Sequence, residues 1–232
     1  MRVVLPDIMK LSSRAHALYE AFNETGCPVC RLTAASVHGY LESLMYEYVN
    51  KPPTHIAVRE ARGFCPTHAW HIREELNATA LGIAVLYEGL LRTIMKDMGD
   101  ISPDSGRLQI NRAANALEPQ GKCPACEHRD RIEEQLLRNL LEHLKIDEFA
   151  DEFAHSAGLC LPHVRLALEY SGHVAAKARL LTIQQDIWMQ LQRDLVEYMR
   201  KNDYRFADEE MGAEGDSSHR AIAQMSGKKG LH

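Results

Sequence analysis

Cysteine is used in this chain only inside four short motifs, and their order constrains the fold more than any other feature. Reading along the sequence, Cys27-Pro28-Val29-Cys30 is followed by Gly63-Phe64-Cys65-Pro66-Thr67-His68, then Cys123-Pro124-Ala125-Cys126, then Gly158-Leu159-Cys160-Leu161-Pro162-His163. The Cys-Pro-x-Cys motif recurs after 96 residues and the Cys-x-x-His motif after 95, so a unit of about a hundred residues reads as duplicated. Each copy offers three sulfurs and one imidazole, the Cys3His shell of a closed tetrahedral structural zinc site. Spacing alone predicts one site per copy: Cys27, Cys30, Cys65 and His68 in the first, Cys123, Cys126, Cys160 and His163 in the second.

The local chemistry supports ligation. Pro28 and Pro124 stand where a first helical residue tolerates proline, which places each cysteine pair at a helix N-terminus. Pro66 repeats the arrangement after Cys65, whereas in the second copy the proline moves one place, to Pro162. Gly63 and Gly158 free the backbone to turn just ahead of the cysteine. Helix N-termini present free amide N–H groups and partial positive charge, which stabilise thiolate. A metal held between two such ends would clip two helices across a loop of 34 residues in the first copy and 33 in the second.

Between the motifs, apolar residues recur at three- and four-residue intervals, so the fold class is all-α. Val37, Leu41, Leu44, Met45 and Tyr48 form one stripe after Cys30, and Ile132, Leu136, Leu137, Leu140, Leu141 and Leu144 form another after Cys126. A long helix follows each Cys-x-x-His motif, carrying Ile83, Leu86, Leu90, Ile94 and Met98 in one copy and Leu180, Ile183, Ile187, Leu191 and Leu195 in the other. Shorter helices are expected at about residues 12 to 25 and 107 to 117. Gly99, Pro103, Gly106, Pro119 and Gly121 punctuate the join. These signals predict an internally duplicated helical bundle: a first repeat over 1–104, a second over 105–205, each clipped by its own metal, and a tail over 206–232. In the tail, Asp216 and Gly227 bracket a short helix from Ser217 to about Met225 with a weak apolar face of Ala221, Ile222 and Met225.

The formal charge of −5, with 27 basic against 32 acidic residues, gives no basic face for nucleic acid. Six thiolates and two Zn2+ ions would move it by −2, to −7. Residues 1 to 22 hold no uninterrupted apolar core of a signal peptide, because Pro6 and Asp7 break the short Val3-Val4-Leu5 run, and no later run is long enough for a bilayer, so a cytoplasmic protein is expected, with no membrane partner. That compartment disfavours permanent disulfides, which would also leave His68 and His163 unexplained. Arg31 and Glu127, not histidine, follow the cysteine pairs, which excludes c-type haem attachment. Glu152 and His155 make a single Glu-x-x-His, short of the set a di-iron bundle requires. His71, one turn past His68, has Leu166 as its counterpart and is expected beside the site. Trp70 and Trp188 are expected in the core. No phosphate loop, nucleophile elbow or metalloprotease motif is present, so no catalytic or organic-cofactor site is assigned.

Together with Leu41-Glu42-Ser43-Leu44-Met45-Tyr46-Glu47, Ala69-Trp70 and the late Gly212-Ala213-Glu214-Gly215-Asp216-Ser217, the paired motifs resemble a family of uncharacterised prokaryotic proteins grouped as a domain of unknown function. The resemblance covers most of the chain and implies metal binding without an established activity. The expected function is a scaffold or adaptor with two structural zinc ions and a protein partner. The alternatives are a redox or metal sensor using the same cysteines, or an iron–sulfur protein.

Overall fold

A computed structural model describes residues 11–76, 78–206 and 208–231. Among them every regular element is helical: α1 (Ser13–Ala21), α2 (Pro28–Ser43), α3 (Pro52–Glu60), α4 (Pro66–Glu74), α5 (Ala80–Met98), α6 (Arg107–Leu117), α7 (Pro124–His143), α8 (Asp147–His155), α9 (Leu161–Glu169), α10 (Val174–Lys201) and α11 (Ser217–Ser226). A π-helical turn, Leu44–Tyr48, prolongs α2. The helix starts follow from local chemistry. Ser12 Oγ accepts from the Ala15 N–H at 3.2 Å and Thr79 Oγ1 from the Gly82 N–H at 3.1 Å, satisfying amides that have no partner within α1 and α5. Gly99 and Gly227, at φ +70° and +77°, end α5 and α11 in a backbone region that favours glycine.

Packing groups the residues into two compact units, one made of 1–34 and 132–232, the other of 35–131. The boundary at 104/105 therefore lies inside the second unit. Helices α2 and α7 each contribute residues to both.

In the first unit, Leu136, Leu137, Leu140 and Leu141 of α7 and Leu144 just past its end are buried with Leu18 of α1, Phe22 at its end, Phe149 and Phe153 of α8, Val164 and Ala167 of α9 and Leu180 of α10. Phe22 meets Phe149 edge-on at 5.1 Å between ring centres and Phe153 at 5.3 Å. The second unit buries Val37, Leu41, Leu44 and Met45 with Val49, Ile72 of α4, Leu86 of α5 and Ala125. Each core thus uses the expected stripes, apart from Tyr48, whose side chain lies outside the description.

The tail helix forms where Ser217 to Met225 predicts it. It packs on α9 and α10, and Gln224 accepts the indole N–H of Trp188 at 2.9 Å. Asp216 does not cap it through its side chain and instead accepts from Arg220 at 2.6 Å. Trp188 is half-buried against the core, but the core placement expected for Trp70 is overturned: it is 63% exposed. On α4 the buried positions are His68 and Ile72, one turn apart. Trp70 follows His68 by two residues, about 200° around the helix, and so faces the other way. No helix among the described residues is long and apolar enough to cross a membrane.

Candidate metal centres

All four motifs open a helix. Cys65 and Cys160 are the residues just before α4 and α9, extended at φ −62°, ψ 161° and φ −70°, ψ 157°. Their carbonyls accept the first intrahelical bonds, from Ala69 and Val164, both at 2.9 Å. Cys27 and Cys123 do the same for α2 and α7, through Arg31 at 3.1 Å and Glu127 at 3.0 Å. Displacing proline from position 66 to 162 changes nothing here, because the first helical residues have no intrahelical acceptor for an N–H to lose.

The eight motif residues converge on two points, but not as spacing predicted. Cys27 and Cys30 meet Cys160 and His163, forming centre I; Cys65 and His68 meet Cys123 and Cys126, forming centre II. Each cysteine pair is completed by the Cys-x-x-His of the other predicted repeat, which corrects the expectation of one clip per repeat. The reason lies in the core of the first unit: Cys27, Cys30, Cys160 and Val164 are buried in one cluster with the leucines of α7, and His163 Nε2 lies 3.3 Å from Glu133 Oε1 of that helix.

In centre I, His163 Nδ1 lies 3.4 Å from Cys27 Sγ, 3.4 Å from Cys30 Sγ and 3.1 Å from Cys160 Sγ, and Cys30 and Cys160 are 3.5 Å apart. In centre II, His68 Nδ1 lies 3.1 Å from Cys65 Sγ, 3.7 Å from Cys123 Sγ and 3.4 Å from Cys126 Sγ, with Cys65 and Cys126 at 3.5 Å. Within each group all four donor atoms fall within 4.8 Å of one another.

The loops delivering these residues are braced. In the first unit the Gln184 side-chain carbonyl accepts the Leu159 N–H at 2.8 Å, and Gln224 of the tail helix donates to the Ala157 carbonyl. Arg31 donates to Glu24 and to the Thr25 carbonyl, fixing the approach to Cys27. In the second unit the Gln120 and Gly121 N–H groups donate to the Glu60 carbonyl at 2.7 and 3.1 Å, and the Gly63 N–H to the Val58 carbonyl at 2.8 Å. The approaches to Cys123 and Cys65 are thus both tied to the end of α3.

The donors of centre I share protons unequally. Burial pushes the Cys27 thiol up, while contacts with Cys160, Cys27 and His163 hold Cys30 far below the usual thiol range. Burial opposes charge on His163, yet Cys160, Cys30 and Glu133 outweigh it and push its pKa up to about 11. In centre II, burial and the charge of Cys123 push Cys126 up to about 12. A metal entering either group must displace protons, so its binding weakens as pH falls.

Around the ligands the centres differ. Sequence reasoning missed Glu133, 3% exposed behind His163; its signal was an acid placed between Ile132 and Leu136 on an otherwise apolar stripe. His68 Nε2 has no hydrogen-bond partner among the described residues. His71 lies outside both donor groups and pairs with His38 across 3.1 Å. Glu152 is half-buried and His155 exposed on α8.

The chain is 26% identical over 189 residues to an uncharacterised 23.9 kDa protein encoded in the xynA 3′ region of Caldicellulosiruptor sp. (strain Rt8B.4), covering 81% of this chain and 88% of that protein. No solved structure matches it significantly. A family model spans residues 9–230, almost the whole chain, and on that match the protein belongs to DUF6062, a family of unknown function.

Proposed function

We propose that the protein is a zinc-binding helical scaffold whose centres I and II are structural Cys3His sites. The observation that carries this reading is the convergence of three sulfurs and one imidazole nitrogen within 4.8 Å in both groups. Tetrahedral zinc, with bonds of about 2.3 Å to sulfur and about 2.0 Å to nitrogen, sets S···S near 3.8 Å and S···N near 3.5 Å. The S···S separations of 3.5 Å and S···N separations of 3.1–3.7 Å suit it. A four-iron cubane would spread its ligand atoms to roughly 6 Å, which argues against the iron–sulfur alternative.

The centres would act as staples. Centre I joins the starts of α2 and α9, whose ligands Cys30 and Cys160 are 130 positions apart in sequence, and centre II joins the starts of α4 and α7. Structural zinc contributes on the order of 10 kcal/mol of apparent binding free energy at neutral pH, comparable to the net stability of a domain. Thiolate ligation of this kind fits a reducing compartment such as the cytoplasm. The near-equal motif offsets support residues 1–104 and 105–205 as duplicated halves that exchanged Cys-x-x-His segments, and an adaptor role presenting exposed helix faces to a protein partner follows from such a scaffold.

Chelation tests the staple. Treating the zinc-loaded protein with excess 1,10-phenanthroline at neutral pH should collapse its cooperative thermal transition and lower its far-ultraviolet helical signal, with recovery on adding zinc. An unchanged transition after complete metal removal would refute it.

A further inference from the structure

We propose that the two centres have different duties: centre I is the permanent staple and centre II a thiol-reactive site that gives up its metal first when a hydroperoxide attacks. This rests on the zinc reading above and assigns regulation to one of its two sites.

Three independent observations separate them. The first is access. Cys27, Cys30, Cys160 and His163 are all buried, at 6, 2, 0 and 0% exposure, and the three cysteines belong to the core of the first unit. Cys65, Cys123 and Cys126 are each partly exposed, and only His68 of that set is buried. A hydroperoxide must reach sulfur to oxidise it, so exposure ranks the two sets.

The second is the support of the imidazole. Glu133, itself buried, places Oε1 3.3 Å from His163 Nε2, where a carboxylate raises the basicity of the ring toward a metal on Nδ1. Subtracting the 96-residue offset of the cysteine pairs from 133 gives Val37, a buried aliphatic residue that can accept no hydrogen bond. His68 therefore has no carboxylate from the corresponding helix position. Carboxylates in this position typically alter metal affinity or activity 10- to 100-fold.

The third is the embedding of the loops. Leu159, next to Cys160, donates to buried Gln184, which contacts Gln224 of the tail helix. The corresponding Cys65 loop is held instead by a backbone bond, from the Gly63 N–H to the Val58 carbonyl at 2.8 Å, rather than by a side chain from another helix.

The chemistry balances. Two thiolates of centre II lose two electrons in forming one disulfide, the hydroperoxide accepts them and, with two protons, leaves as water and an alcohol, or as two waters from hydrogen peroxide. The ion departs as Zn2+. Cys65 and Cys126, with Sγ atoms 3.5 Å apart, are the pair placed to close. A thiol reductant with zinc reverses the step.

The test uses the full chain loaded with zinc. It is exposed to excess hydrogen peroxide while a chromophoric chelator reports free zinc, and samples taken during each phase are alkylated and mapped by mass spectrometry. The expected result is one zinc per chain released in a first phase, at least about tenfold faster than the second, with oxidation confined to Cys65, Cys123 and Cys126. Glu133→Gln should accelerate only the slow phase, by roughly 10- to 100-fold. Release of both ions in one phase, or oxidation of Cys27, Cys30 or Cys160 first, would overturn the assignment while leaving two zinc sites intact. Absence of bound zinc at the outset would instead defeat the reading beneath it.

Discussion

Gly158→Ala isolates the coupling between the tail helix, α10 and centre I. Gly158 has φ +69°, where an L residue costs about 1–2 kcal/mol. A Cβ built there would lie 2.8 Å from Gln184 Oε1, 2.8 Å from Ile187 Cδ1 and 3.0 Å from Gln184 Nε2. Gln184 is fully buried and must move. When it moves, the buried Leu159 N–H loses its acceptor, which costs about 1–3 kcal/mol more. The variant should therefore lose about 2–5 kcal/mol, and the lost contact sits one residue from Cys160. Gly172→Ala is the matched control: φ is +77°, but nothing lies within 4 Å of the new Cβ, so only the backbone cost of about 1–2 kcal/mol applies. Urea titration of both zinc-loaded variants, followed by far-ultraviolet circular dichroism, gives the difference. Hydrogen exchange of the peptide containing Leu159 and Cys160 shows where it arises. Equal destabilisation of the two variants, with unchanged exchange at Leu159, would refute the proposed role of Gln184.

Two further outcomes follow from particular contacts. Replacing Cys27 and Cys30 together by serine should leave Cys160 open to alkylation while Cys65 keeps its protection; reactivity at Cys65 instead would restore the within-half pairing. Glu214 accepts from Lys201 at 2.8 Å and from the Gly212 N–H at 2.7 Å, and these contacts depress its pKa to about 2. A depressed acid stabilises the fold above its ordinary range and loses that contribution as pH falls through its folded value. Docking of the segment around Glu214 should thus weaken between about pH 4.5 and pH 2. Trp188 fluorescence in a Trp70→Phe background should follow this, and Lys201→Met should remove the dependence; an unaltered profile in that variant would exclude the ion pair as its cause.

The helices and the donor set were legible because both are written locally. Helical periodicity marked the α7 stripe from Ile132 to Leu144, and proline beside Cys27, Cys65 and Cys123 marked the helix starts. Pairing was not legible, because the same spacing serves either arrangement. Closing centre I across 130 residues rather than the 35 between Cys30 and Cys65 costs only about 1 kcal/mol more in loop entropy. Burial of four leucines on α7 and of Leu144 just past it outweighs that easily. Glu133 was overlooked for a related reason: an acid within an apolar stripe has a role only once the helix facing it is known. Trp70 was misjudged from residue type, although its angular distance from His68 and Ile72 on α4 already placed it outside the core.

Elemental analysis of the full-length protein, purified without added metal or chelator and quantified against peptide concentration, bears most directly on whether these eight residues hold metal. About two zinc per chain, with negligible iron, is the expected result. Zero metal in a protein that still shows its full helical signal and cooperative melting would contradict the metal-staple account outright.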